Sequence, residues 1–193
     1  MREETLMMPA DYGQWLADIK NRVLAARQRA ALAVNAELVS LYWHIGRDIL
    51  QRQAAQGWGS KVIDRLGRDL REAFPEMKGF SRANLLYMRA FAEAWADFEI
   101  VQQAVGQLPW GHNVLLLNRI KEQEARLFYV QKAIAENWSR ATLEVHIKNR
   151  LHERQGKAVT HFAARLPAPT AALAQETLKD PYLFDFLSLS EDA

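Results

Sequence analysis

Apolar side chains recur at Leu16, Ile19, Val23, Ala26, Ala30, Val34, Leu38, Leu41, Ile45 and Ile49. The steps are threes and fours, the spacing that lines up one face of a helix. No glycine or proline interrupts the stripe before Gly46. The pattern predicts one long helix, or two nearly collinear ones, from a cap at Asp11 to Gln56-Gly57. A hairpin within residues 28–33 is the alternative, although no turn residue marks it. A helix this long outruns a compact body of this size, so it predicts packing against a partner chain or another domain.

The remaining chain reads as shorter helices. Gly57-Trp58-Gly59-Ser60 punctuates, with Ser60 as the next cap. Val62, Ile63, Leu66, Leu70 and Phe74 then predict a helix from Lys61 to Phe74. Pro75–Gly79 predicts a turn. Ser81 caps a helix to about Asp97, with Leu85, Leu86, Met88, Phe91 and Trp95 along it. Leu108–His112 is a connector, followed by helices near 112–119, 122–137 and 139–154. Pro167-Ala168-Pro169 opens a looser tail that ends in the apolar Tyr182–Leu187. The fold class is all-α, with helix-turn-helix-like units, a winged-helix variant included.

Composition sharpens this. Ala, Leu, Arg, Glu and Gln dominate, whereas glycine and proline number only nine and six, a helix-forming balance. There is no cysteine, which excludes disulfide frameworks and thiolate metal sites and fits a reducing, cytoplasmic setting. No apolar run approaches the ~20 residues of a membrane span, so no membrane partner is expected. The net charge of +2 says little, but its distribution says more. Residues 44–82 and 118–154 each carry eight Lys/Arg against five Asp/Glu, whereas 83–117 and 155–193 are each net −2. Two basic blocks fit a charged face, and ordinary solvated helix surfaces fit them equally.

Chemistry of its own is not expected. His44 and Asp48 lie one helical turn apart, but nothing completes a ligand set, and no cofactor is implied. His112 reads as a structural hydrogen bonder. No phosphate-binding loop, nucleophile elbow or dinucleotide pattern occurs. The tryptophans mostly fall on apolar stripes and read as core, with Trp58 the best candidate for an exposed ring.

One internal echo stands out. Phe80-Ser81-Arg82-Ala83-Asn84-Leu85 and Trp138-Ser139-Arg140-Ala141-Thr142-Leu143 share a pattern of aromatic, Ser, Arg, Ala, short polar and Leu. Each is a helix start, with Ser as the cap. Arginine is unfavourable at the positive end of a helix dipole, so two such starts imply an awaited anion. Each start follows another amphipathic helix, as in a helix-turn-helix unit, where the second helix meets DNA. Arg82 and Asn84 are then candidate base readers and Lys61, Arg65 and Lys78 phosphate ligands, with Arg68 and Arg89 on the same surface. In the second unit Arg140, Lys148 and Arg150 take the matching places. Solvated or ion-paired roles remain open for each.

The strings Leu41-Tyr42-Trp43-His44-Ile45-Gly46-Arg47, Gly57-Trp58-Gly59, Phe74-Pro75, Gly79-Phe80-Ser81 with Asn84-Leu85, Leu108–Asn113, and Lys179-Asp180-Pro181-Tyr182 with Phe184–Leu187 resemble the YhcG-like family of bacterial proteins. The likeness runs along residues 12–187. Gly67 departs from it, standing where a serine or other small polar residue is expected. The resemblance implies a helical N-terminal domain followed by a nuclease domain of the PD-(D/E)XK type. Together with the helix pattern it gives the following expected organisation: 1–56, a long helix that serves as a candidate dimerisation element; 57–155, a helix-turn-helix-like domain; 156–193, a linker and the start of a nuclease domain that this chain lacks. No cutting activity transfers to any residue here. The implied function is a non-catalytic module that holds nucleic acid, duplex DNA first, for a nuclease domain in cis or trans. The alternative is a protein-interaction module that assembles a nuclease complex, as a homodimer or otherwise, without touching DNA.

Overall fold

The computed structural model describes Pro9, residues 11–57, 59–155 and 171–187, and among them every regular element is a helix. The first, α1, runs unbroken from Tyr12 to Gln56 over 45 residues, about 68 Å at 1.5 Å per residue. Asp11 stands at its start but its side chain bonds no helix N–H, so the expected cap is absent. The helix ends because Gly57 takes a left-handed φ of 65°, its N–H reaching the Gln53 carbonyl at 3.1 Å.

Only the second half of α1 belongs to the core. No residue before Ala31 is buried, whereas Ala31, Asn35, Leu38, Val39, Tyr42, Trp43, Gly46 and Ile49 are. This face is offset from the stripe read in the sequence, of which Val34, Leu41 and Ile45 are only half-buried. Trp15, one of the tryptophans read as core, is 56 % exposed. The stripe marks a side of α1 that the body does not fully cover.

The body wraps this half-helix. After α2 (Ser60–Ala73) comes a 3-10 turn at Lys78–Phe80, then α3 (Arg82–Ala94). Ser60 is the first residue of α2 rather than its cap; Gly59 holds the cap position. Helix α3 crosses α1 at Gly46, where a Cβ would sit 2.0 Å from the Met88 carbonyl oxygen. Glycine costs about 1 kcal/mol in a helix interior, and here the close crossing offsets it. The helix expected to reach Asp97 stops at Ala94; Asp97 instead caps α4 (Phe98–Gln103), its carboxylate accepting the Glu99 N–H at 2.9 Å.

Next come α5 (Trp110–Arg119), α6 (Gln123–Glu136) and α7 (Arg140–Lys148). The helix expected over 139–154 breaks at Arg150, whose φ is 49°, and resumes as the single turn α8 (Leu151–Arg154). Two further helices, α9 (Ala171–Leu178) and α10 (Pro181–Leu187), lie against α1 and the 3-10 turn, with Leu173, Ala174 and Leu183 buried. The Pro167–Pro169 reading and Trp58 fall outside the described residues.

Four of the strings that carry the family resemblance meet inside the body. Tyr42 lies edge-on to Trp110 at 4.9 Å and to Tyr182 at 6.5 Å. The Trp110 ring N–H donates to Asn84 Oδ1 at 2.7 Å, and Asn84 Nδ2 donates to the Gly79 carbonyl at 2.6 Å. Asp180 accepts the Gly111 N–H at 3.0 Å and, through its other oxygen, the Tyr182 N–H at 3.0 Å. Residues far apart in sequence thus form one buried knot that ties α1, α3, α5 and α10 together.

Candidate nucleic-acid interface

The twin helix starts form as their sequences predict. Ser81 Oγ accepts the Asn84 N–H at 3.2 Å, and Ser139 Oγ accepts the Thr142 N–H at 3.1 Å. Both starts touch the beginning of α5. The α3 start reaches it through Asn84 and Trp110. The α7 start reaches it through His112, whose Nε2 lies 3.0 Å from the Trp138 carbonyl. The Arg140 stem also passes over Gly111, where a Cβ would lie 3.9 Å from its Cδ and 3.7 Å from Asp180 Oδ2. Three helix N-termini, each the positive end of a dipole, therefore gather at one place. The Asp180 carboxylate meets one of them.

The cations named in the sequence have unequal fates. Arg82 pairs with Asp64 of α2, with half of its side chain exposed. Arg65 is held by Asp69 at 2.8 Å, Lys148 lies 3.8 Å from Glu144, and Arg150 lies 3.6 Å from Glu153. Lys61, Arg68 and Arg140 are exposed and make no ion pair with a described residue. Lys78 is exposed as well. Burial sets Asn84 apart from these cations. Asn84 is 2 % exposed and both ends of its amide are engaged within the knot, so it faces no base. Arg89 is half-buried and donates to the Gln53 side chain of α1 at 3.4 Å.

The two second helices also differ. Helix α3 is embedded: Leu85, Met88, Phe91 and Ala92 are buried, and outside its first turn only Glu93 is exposed. It cannot lie along a groove. Helix α7 buries only Leu143 and Ile147 and leaves Arg140, Ala141, Val145 and Lys148 exposed on one side.

His112 behaves as a structural residue. Burial pushes its pKa below the ordinary 6.5, against the Trp138 carbonyl bond and the Glu176 and Asp180 carboxylates, with Arg140 adding to the depression. The unfolded chain then binds a proton that the folded chain refuses. Stability is full above about pH 6.5 and falls as the pH drops below that value. Thermal midpoints measured between pH 7.5 and 5.5 should show this decline, and His112→Gln should flatten it.

Block-wise counting of charge missed one feature. From Ile19 to Ala36 the chain carries Lys20, Arg22, Arg27 and Arg29 and no acid, whereas Asp11, Asp18 and Glu37 flank the run and reduce it to +1 over residues 11–37. An acid-free stretch was the available signal.

Among the described residues, no three His, Cys, Asp or Glu side chains group to hold a metal ion, and no helix is long and apolar enough to cross a membrane. Among these residues the chain is all-helical and shows no strand of the kind that builds a PD-(D/E)XK core. It belongs to the DUF1016 N-terminal domain family, which it matches over residues 18–154. A relative from Escherichia coli (strain K12), named "Putative nuclease YhcG", is 28 % identical over 221 aligned positions, which cover 95 % of this chain. The chain spans 58 % of that relative's length. No solved structure matches.

Proposed function

We propose that this chain holds duplex DNA for a nuclease in cis or trans, and that the α6–α7 unit makes the principal contact. The observation that carries the reading is the exposed side of α7, entered by Arg140 and set beside three gathered helix N-termini. A helix that keeps one side free, with Arg at its first turn and an exposed Val145 further along, has what major-groove insertion needs: a guanidinium for base edges and an apolar group for a thymine methyl. Arg82, Lys61, Arg68 and Lys78 then serve the phosphate backbone. The pair of Arg82 with Asp64 does not oppose this. Ion pairs so exposed contribute at most about 1 kcal/mol and exchange readily for phosphate. The nuclease association rests on the family and on the printed name of the relative, and a cytoplasmic setting follows from the DNA partner.

The double variant Arg82→Glu/Arg140→Glu tests the reading. It should weaken binding to a short duplex at least about tenfold in low salt, since one base-facing and one phosphate-facing cation are inverted. Wild-type affinity in the variant would contradict it.

A second reading is favoured by the first half of α1. A helix of about 28 Å stands clear of the core with Trp15, Val23 and Leu24 more than half exposed. Such an arm suits assembly with another protein.

A further inference from the structure

The arm of α1 carries its own specification of what it pairs with. Its apolar residues Tyr12, Leu16, Ile19, Val23, Ala26 and Ala30 are spaced four, three, four, three, four. That is the seam of a coiled coil, narrower than the apolar face of a helix that packs on a globular core. At about 100° per residue this seam is centred roughly 130° away from the side that α1 turns to the body, so it does not continue the core. Beyond Ala31 the spacing changes and the core-facing set takes over.

Charge decides the occupant. Lys20 and Arg27 border one edge of the seam; Arg22 and Arg29 border the other. All four are exposed and none makes an ion pair with a described residue. Asp18 lies off the seam, where Gln14 donates to it at 3.1 Å. A second copy of this chain fits badly in either direction. A parallel pair would set Arg22 against Arg27 of the other copy. An antiparallel pair centred between Ile19 and Val23 would set Lys20 on Lys20 and Arg22 on Arg22. Residues bordering the seam determine partner choice in coiled coils, and like charges there exclude a pairing.

We infer that residues 12–30 are one half of a heterotypic coiled coil whose other half is an amphipathic helix with acidic residues bordering its seam. The inference deepens the assembly reading and is independent of DNA binding at α7. Tyr12, Leu16, Ile19 and Val23 supply the larger seam residues at the free end. Ala26 and Ala30 let the partner approach closely where α1 enters the body.

The test uses the whole chain and two synthetic 21-residue helical peptides with leucine along the seam, one bordered by glutamates and one by lysines. The chain should sediment as a monomer. It should bind the glutamate peptide in the micromolar range by fluorescence anisotropy, at least tenfold tighter than the lysine peptide. Arg22→Glu/Arg27→Glu, both exposed changes whose folding is checked by circular dichroism, should reverse that preference while leaving DNA binding through Arg82 and Arg140 as it was. Three results would overturn the inference: a dimer of the chain dissolved by Val23→Asp; equal or absent binding of the two peptides; or anionic vesicles or duplex DNA captured by the arm in place of the glutamate peptide.

Discussion

Gly46→Ala lowers the thermal midpoint by roughly 6–12 °C, the shift that a loss of about 3 kcal/mol produces in a chain of this size. The substitution should help an isolated helix by about 1 kcal/mol. Here the new methyl would lie 2.0 Å from the Met88 carbonyl oxygen, 2.5 Å from its carbon and 3.0 Å from the Ala92 Cβ. Two of these neighbours are backbone of α3, which cannot swing aside as a side chain can. The helices must separate, and separation loosens Leu38, Tyr42, Met88 and Phe91 together. Overpacking at such a crossing costs about 1–3 kcal/mol or more. Gly13→Ala is the control: nothing lies within 4 Å of a Cβ there, so stability should stay level or rise slightly. Differential scanning calorimetry of both variants checks the contrast. A Gly46→Ala chain as stable as wild type would mean that α1 and α3 do not cross at this point.

Asn84→Ala should cost about 2–4 kcal/mol by chemical denaturation, because it strands two buried groups at once. The Trp110 ring N–H loses its acceptor and the Gly79 carbonyl loses its donor, both in a region without water access. The loss should reach distant parts of the chain. Trp110 also packs on Tyr42 and Phe91, and Gly111 is tied to Asp180 before α10. A change near the start of α3 should therefore speed proteolysis of the α9–α10 segment. Asn84→Asp separates the two bonds: it keeps an acceptor for Trp110 but places a carboxylate against the Gly79 carbonyl, and it should recover little of the loss. A variant within 1 kcal/mol of wild type would return Asn84 to the list of surface readers.

Legibility followed the range of the forces involved. The length of α1, the caps at Ser81 and Ser139 and the punctuation at Gly57 are local, and the sequence shows them directly. Which side of α1 meets the body is not local. The stripe from Leu16 to Ile49 is a real helix face, yet close packing at Gly46 and the polar anchor at Asn35 turn another side inward. Asn35 donates to the carbonyls of Gly106 and Leu108 at 2.8 and 3.0 Å, a use of a polar residue that periodicity of apolar ones cannot report. Asn84 was misjudged for the same reason: an amide that reads adenine and an amide that holds a buried indole are identical in sequence. Arg82 and Arg140 occupy matched starts, but only α7 stays exposed beyond its first turn, because α3 packs along α1 and α7 does not. The arm was visible as an apolar stripe; its basic borders emerged only once the core-facing side was known.

The proposed role of this helical module is to hold a polyanion at α7 and the gathered helix starts. Anisotropy titration of a labelled short duplex, repeated from 50 to 200 mM salt, measures this directly. Binding should be saturable, and the logarithm of its affinity should fall with the logarithm of salt at a slope of about −3.5 to −5.5, the release of counterions from four to six phosphates. Absence of saturable binding at 50 mM, or an affinity indifferent to salt, would contradict it and leave assembly through the α1 arm as the function the fold supports.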